Sequence, residues 1–361
     1  MKKALWLLTF LPLFASAQWQ LSPKAEIHVL TCGPYQGELY SAFGHSAVRV
    51  YDPQNGIDFL YNYGVFDYDQ PNFYLNFARG FLNYQLDVMA YDRFKAFYIE
   101  EDRYIHEQVL NLSPEEKQEF FDFLQWNARP DNKYYSYDYF YDNCATRIRD
   151  ALANVLGERL QFEGDYITID YSIRDLCDIY LQYQPWGDLG IDLCLGLPMD
   201  KKATPYEYMF LPDYLESGLN HAYLYRDGVK RPLVKETIIT YSSRDPLKPR
   251  TFFTPIVFTS LILLIGLFIT YRAFRKKKNA FGFDTFLMSI TGLLGWFLLA
   301  LWLATDHKAA ACNFNLLWAF PLYFPMALLL LKKRRPAYLR LFFRLTFWIH
   351  LITLLIWPWW P

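Results

Sequence analysis

The chain carries no excess of charge: 36 Lys and Arg stand against 37 Asp and Glu, a formal net charge of −1. No basic face stands out, which excludes the usual electrostatic footprint of a nucleic-acid binder. Cysteine and histidine are scarce, five and six residues, and their spacings fit no zinc pattern. There is no C-x-x-C and no His pair at helical spacing, so no metal site is expected. Internal repeats are absent. No Cys follows the first apolar stretch, so the chain is not expected to be a lipoprotein itself.

What is present lies mostly at the ends. Lys2 and Lys3, the apolar run Ala4–Phe14 and Ala15-Ser16-Ala17 read as a secretory signal over residues 1–17, with Gln18 as the mature N-terminus. Four later stretches are long and apolar enough to span a bilayer: Thr254–Tyr271, Phe283–Ala304, Asn313–Leu331 and Leu341–Trp360. Pro321 and Pro325 are expected to kink the third. Arg272–Lys278 lies between the first two spans and Lys332–Arg335 between the last two, so the positive-inside rule makes both loops cytoplasmic. Residues 305–312, and everything before Thr254, then face outward, which agrees with the signal. Residues 18–249 form the exported domain and 250–361 the membrane domain of four helices. The Pro246/Pro249 segment reads as the linker, and Trp357–Pro361 as an interfacial aromatic anchor.

The exported part is large enough for one sizeable core. Asp52-Pro53-Gln54-Asn55-Gly56 is a turn between strands His45–Tyr51 and Ile57–Tyr63. Ser113-Pro114-Glu115-Glu116 starts a helix that runs to about Asn127. A second helix begins at Cys144, capped by Asp142 or Asn143, and buries Ile148, Leu152, Val155 and Leu156. Its thiol faces unsatisfied backbone N–H groups, which favour thiolate and can hold an oxyanion. His45 supplies a base if its strand packs beside that helix. A turn centred on Gln54-Asn55 sets His45 across from Gly64 and brings Asn62 diagonally onto the same face, making Asn62 the candidate orienter. Ser46 points to the other face. The remaining exported histidines, His28, His106 and His221, lack such a setting.

A thiol and an imidazole on a membrane-anchored chain suggest acyl transfer through a thioester, chemistry that needs no cofactor. The aromatic run Tyr134–Tyr141, just before Cys144, serves strand packing and a loop core or walls an acyl chain. Cys177 and Cys194 are the nearest pair for a disulfide, and Cys32 suits a buried free thiol. His before Cys reverses the order of papain and matches a circular permutation.

Four segments carry a family resemblance: Phe43–Arg49, Tyr61–Asp67, Asp142–Asp150 and Gly196–Pro205, with Phe210–Leu215 fitting it too. Together they resemble the Lnb-type periplasmic domain of Bacteroidetes, over most of residues 25–245, and the later spans fit that family's membrane part. The resemblance implies an α+β, circularly permuted papain-like domain, akin to the NlpC/P60 and lecithin:retinol acyltransferase group, in the periplasm and held in the inner membrane. It implies a lipoprotein N-acyltransferase with Cys144 as nucleophile and His45 as base; Asn62 as third member comes from the hairpin geometry alone. The partners would be a phospholipid acyl donor, a diacylglyceryl lipoprotein acceptor and the bilayer. Arg147, Arg149 and Asn143 are candidates for binding substrate, the arginines through a lipid phosphate, although a solvated helix face accounts for them equally; Lys201 and Lys202 stand the same way. The alternatives are a cysteine peptidase or amidase on cell-wall peptides, a hydrolase releasing free fatty acid, and a non-catalytic membrane assembly protein with a structural Cys144.

Overall fold

The computed structural model of the chain describes residues 19–244 and 251–357. The expected signal, the linker prolines and the tail from Pro358 lie outside the described residues. A seven-stranded antiparallel sheet organises the N-terminal domain, in the order β10-β5-β1-β2-β3-β4-β6. Its strands are β1 (Glu26–Cys32), β2 (His45–Asp52), β3 (Ile57–Val65), β4 (Asn83–Ala90), β5 (Ile105–Leu110), β6 (Tyr134–Ser136) and β10 (Val234–Tyr241). A small sheet joins β7 (Leu160–Phe162), β8 (Ala222–Arg226) and β9 (Val229–Pro232).

The β2–β3 hairpin is closed by its turn chemistry. The Asp52 carboxylate accepts from the backbone N–H of Gln54 and of Ser22 (3.1 and 2.7 Å), and Gly56 takes the positive φ of +68°. The ladder pairs Asp52 with Ile57 and Val48 with Tyr61, the register expected from a turn centred on Gln54-Asn55. A bulge between Asn62 and Val65 interrupts the next ladder, with Gly64 at φ +85°.

Alternation along β1 and β2 builds two layers. Ile27, Val29, Val48 and Val50 face a core shared with α3 (Pro114–Asn127), α4 (Cys144–Leu156) and α8 (Pro212–Asn220). Leu30, Cys32 and Ala47 face the opposite side, covered by Tyr91, Phe94 and Tyr98 of α2 (Tyr91–Glu100). The Ser113 capping box starts α3 as expected, and α4 buries Ile148, Leu152 and Leu156 and ends at Gly157. A second core gathers α5 (Ile173–Leu181), the Leu195–Met199 stretch after α6 (Pro185–Cys194), and α7 (Pro205–Tyr208). A short helix, α1 (Phe73–Arg79), lies between β3 and β4.

Among the described residues of the membrane domain, three helices are long and apolar enough to cross a bilayer: α9 (Pro255–Arg275), α10 (Phe281–Ala304) and α12 (Tyr338–Ile356). The expected third span, Asn313–Leu331, is not one helix. It divides into a 3-10 turn at Phe314–Leu317 and the eight-residue α11 (Tyr323–Leu330). Pro321 and Pro325 remove backbone donors there and forbid a continuous helix. The segment nevertheless runs antiparallel along α10. Ala319 and Phe324 meet Gly295 and Gly292, the Thr285 hydroxyl donates to Ala327 O (3.3 Å), and Arg335 lies 3.8 Å over the Phe281 ring. Within the non-helical stretch, Ala319 and Pro321 are buried against Gly295 of α10, the kind of cover a bilayer asks of irregular backbone. Both basic clusters thereby sit at one end of the bundle. The loop after α10 sits at the other end, bonded to the N-terminal domain by Asp306 N to Arg79 O (2.8 Å) and Gly196 N to Ala309 O (2.7 Å).

A Cβ on Gly295 would lie 1.9 Å from Ala319 O, whereas Gly282 has open space. Gly295→Val should therefore destabilise the detergent-solubilised protein by roughly 1–3 kcal/mol, while Gly282→Ala leaves the thermal midpoint in place. Equal midpoints for the two variants would refute the close-packed α10–α11 seam.

Candidate functional site

The candidate site begins with one side chain, Asn143. Its Oδ1 accepts from Ala145 N and Thr146 N, both at 2.9 Å, and its Nδ2 donates to Tyr139 O and Phe210 O at 2.9 and 2.8 Å. Thr146 Oγ1 accepts from Asn143 N in return (2.7 Å), completing a capping box. Cys144 is thereby fixed at the first position of α4, 8 % exposed. Backbone N–H groups of Ser46, Ala145 and Cys144 itself point at its sulfur. Burial pushes the thiol pKa up, and these donors with the Arg103 charge pull it only part of the way back.

His45 opens β2 directly after Gly44, whose φ of +80° lets the chain turn in against Cys32 O. The Asn62 side-chain oxygen accepts from His45 Nε2 at 2.6 Å. That bond holds the proton on Nε2 and leaves the Nδ1 lone pair as the basic atom of the neutral ring. Tyr98 stacks on the imidazole, 6.3 Å between centroids and 12° between planes, and Phe94 lies at 6.3 Å. Burial drives the His45 pKa down to about 4, against the Asn62 hydrogen bond and with help from Arg103.

The structure thus joins His45 to Asn62 and sets the Cys144 sulfur on the backbone of Ser46, the residue after His45. Among the described residues no hydrogen bond runs from the imidazole to the thiol. Both groups are neutral at rest. Gly64, at the β3 bulge, keeps the space open: a Cβ there would meet Cys144 Cβ at 3.6 Å and the Tyr137 ring at 3.4 Å. Tyr137, from the aromatic run before Cys144, is therefore a wall of the site.

Residues 16–176 match the family described as the Lnb N-terminal periplasmic domain, and residues 248–361 match the Lnb transmembrane domain. The chain belongs to the Lnb family. No curated protein and no solved structure matches it. The Lnb domain order marks a bacterial membrane protein of lipoprotein processing, with its N-terminal domain in the periplasm.

The other candidate residues of this Lnb-family chain are engaged in protein contacts. Arg147 pairs with Asp142 and lies 4.0 Å over the Tyr135 ring. The buried Arg149 donates to Asp150 Oδ1 (2.8 Å) and Tyr206 O (2.7 Å), tying α4 to α7. Lys201 pairs with Glu207 and Lys202 with Asp175. All five cysteines are free thiols, so Cys177 and Cys194, the nearest pair in sequence, are not joined; Cys177 is packed in the second core, whereas Cys194 is half-buried at the end of α6.

One residue of the site escaped the sequence. Arg103, in the turn after α2, is buried, donates to Gly33 O (2.7 Å) and Glu101 Oε2 (3.1 Å), lies 4.3 Å over the Tyr98 ring, and its charge is felt by both His45 and Cys144. Nothing local distinguishes it in Glu101-Asp102-Arg103-Tyr104; only the fold brings it to Cys144. Elsewhere, Asp178, Asp188 and Asp192 lie close enough to share a cation, but Arg174 already pairs with Asp192 (2.9 Å). An apolar cavity of about 580 Å³ opens at the outer end of the membrane domain, between Leu197, Trp302, Phe320 and Ile349, and touches none of the residues around Cys144.

Two measurements test this geometry. Asn143→Ala removes a helix cap and the donor to two carbonyls, and should cost about 2–4 kcal/mol in denaturant unfolding, with Asn143→Asp intermediate. His45 titrates at 6.5 when unfolded and at about 4 when folded, so its contribution to stability is complete above pH 6.5 and is lost as pH falls toward 4. That contribution is about 3 kcal/mol. Wild type should lose more thermal stability between pH 7 and 4 than His45→Gln; parallel pH profiles would exclude a buried neutral imidazole.

Proposed function

We propose that this protein is a lipoprotein N-acyltransferase working through a Cys144 thioester, on a circularly permuted papain-like domain. The observation that carries the reading is the Cys144 sulfur at the α4 N-terminus, against the backbone of Ser46, next in the chain to an imidazole whose tautomer Asn62 holds. The family's tie to lipoprotein processing and the bilayer under the same domain support it.

In this mechanism Cys144 attacks an ester carbonyl of a membrane phospholipid as His45 takes the thiol proton at Nδ1. The N–H groups stabilise the tetrahedral oxyanion. The C–O bond breaks, His45 returns the proton to the leaving alkoxide, and lysophospholipid departs from the acyl-enzyme thioester. The α-amine of a diacylglyceryl-Cys lipoprotein then attacks the thioester, and His45 takes its proton. The C–S bond breaks, the thiolate recovers the proton, and the product is the amide. Asn62 keeps the imidazole oriented. The neutral resting pair keeps a reactive thiolate from forming before an acyl group arrives, and the buried position excludes water that would hydrolyse the thioester.

Intact-mass analysis of the purified protein with phospholipid should find a fatty-acyl adduct that hydroxylamine removes and that Cys144→Ala lacks. His45→Ala should slow its formation roughly 10²–10⁴-fold, and Asn62→Ala less. A reduced Cys144 that takes no adduct would sink acyl transfer and turn attention to cell-wall peptides as substrate.

A further inference from the structure

Helix α1 is built unlike the surface helix of a soluble domain. Phe73 is buried, but Tyr74 is 76 % exposed, Leu75 57 % and Phe77 42 %, and Phe81 just beyond the helix is 48 % exposed. A contiguous apolar face of this kind needs something to cover it. Its position says what. The membrane-spanning α10 ends at Ala304, and the next residues hold α1: Asp306 N donates to Arg79 O (2.8 Å), and His307 Nε2 lies 3.2 Å from Phe77 O. Gly80 closes α1 at φ +83°, and a Cβ there would lie 2.9 Å from the backbone of Asp306 and His307, so only glycine permits the approach. Helix α1 is therefore pinned at the outer end of a span, the level of lipid headgroups, where aromatic side chains are favoured. Arg79, over the Phe81 ring at 4.8 Å, adds a cation at the depth of lipid phosphates.

The inner side of α1 leads to the thiol. Phe73 stacks on Phe66 at 5.8 Å, Phe66 meets Tyr84 at 5.0 Å, and Tyr84 meets Tyr137 at 4.4 Å. Tyr137 adjoins Gly64 and Cys144. A continuous row of rings thus connects the exposed face to the candidate site.

We propose that α1 is an interfacial helix lying in the outer leaflet, and that phospholipid enters there, its acyl chain following Phe73, Phe66, Tyr84 and Tyr137 to Cys144. The interfacial placement stands on its own; the delivery to Cys144 rests on the acyl-transfer reading above. Apolar side chains at an interface gain by burial in the acyl boundary, and a row of rings offers a chain continuous apolar area.

The test uses the full chain in vesicles of phosphatidylethanolamine and phosphatidylglycerol, doped with phosphatidylethanolamine that carries a diazirine in its acyl chain. Photo-crosslinking followed by peptide mapping should place lipid adducts on residues 73–81 and on the Tyr84 and Tyr137 peptides. Lipid adducts confined to α9, α10, α11 and α12 would overturn the proposal, the outcome expected if a second copy or a partner covers the helix. This arm reads out whether or not Cys144 is acylated. In the second arm, Cys144 acylation by bilayer phospholipid is compared with acylation by a water-soluble butyryl thioester. Leu75→Glu should lower the ratio of bilayer to soluble acylation roughly tenfold, because a carboxylate at this depth is costly. An unchanged ratio, including equal loss with both donors, would overturn entry at α1. Wild type acylated by neither donor would defeat the acyl-transfer reading and the delivery to Cys144 with it, while the crosslinking arm still decides where lipid meets the domain.

Discussion

The cap at Asn143 is the interaction on which the site depends. One amide group takes two of the free N–H groups of α4, Ala145 and Thr146, and reaches across to the Phe210 carbonyl before α8. It thereby fixes two things together: the helix starts at Cys144 and not a residue later, and the start is locked to the neighbouring layer. A helix start displaced by one residue would rotate the sulfur by about 100° around the axis, away from the Ser46 N–H on β2. The position of the thiol is a consequence of backbone hydrogen bonding more than of any contact the sulfur makes.

The electrostatics follow from burial. Desolvation opposes charge on both members, lowering His45 and raising Cys144, and the two effects together favour the neutral pair. Arg103 acts on both in a consistent sense: a buried cation makes imidazolium harder to form and thiolate easier. Because Asn62 engages Nε2, the basic lone pair is on Nδ1, and the imidazole must come within reach of the sulfur during reaction. Tyr98 contacts both Arg103 and the imidazole.

Much of this was legible because short-range chemistry decides it. Asp52 to Gly56 could only be a tight turn, and its centre fixes every pair along the hairpin, including Asn62 on the face of His45. Ser113 and Asn143 are side chains whose cap roles depend on neighbours three residues away. What the sequence hid depends on distance in the fold. Arg103 is brought by the fold onto Gly33 at the β1 end and the Tyr98 ring, where its charge acts on His45 and Cys144, and nothing around it in the sequence marks a buried cation. The run Asn313–Leu331 is apolar enough to span, and hydropathy does not register that Pro321 and Pro325 divide it; its covering partner, the face of α10 at Gly292 and Gly295, appears only in three dimensions. The cysteines misled for a related reason: closeness in sequence between Cys177 and Cys194 says nothing of which side chains a core takes in.

The loop from Asp306 to Asn313 joins the two halves of the molecule. It holds α1 through Arg79, the stretch after α6 through Gly196, and the end of α6 itself, where Asn313 Nδ2 donates to Leu193 O at 2.7 Å. These attachments lie on different cores of the N-terminal domain, so the domain cannot pivot about any one of them without breaking the others. A freely tethered domain would meet its lipid by chance and in any orientation. One clamped at several points presents a single face to the bilayer, and the ordering entropy of that encounter has been met in folding. For the proposed transfer, which would take its acyl donor from a membrane, that fixed orientation gives the spanning domain a role beyond anchoring.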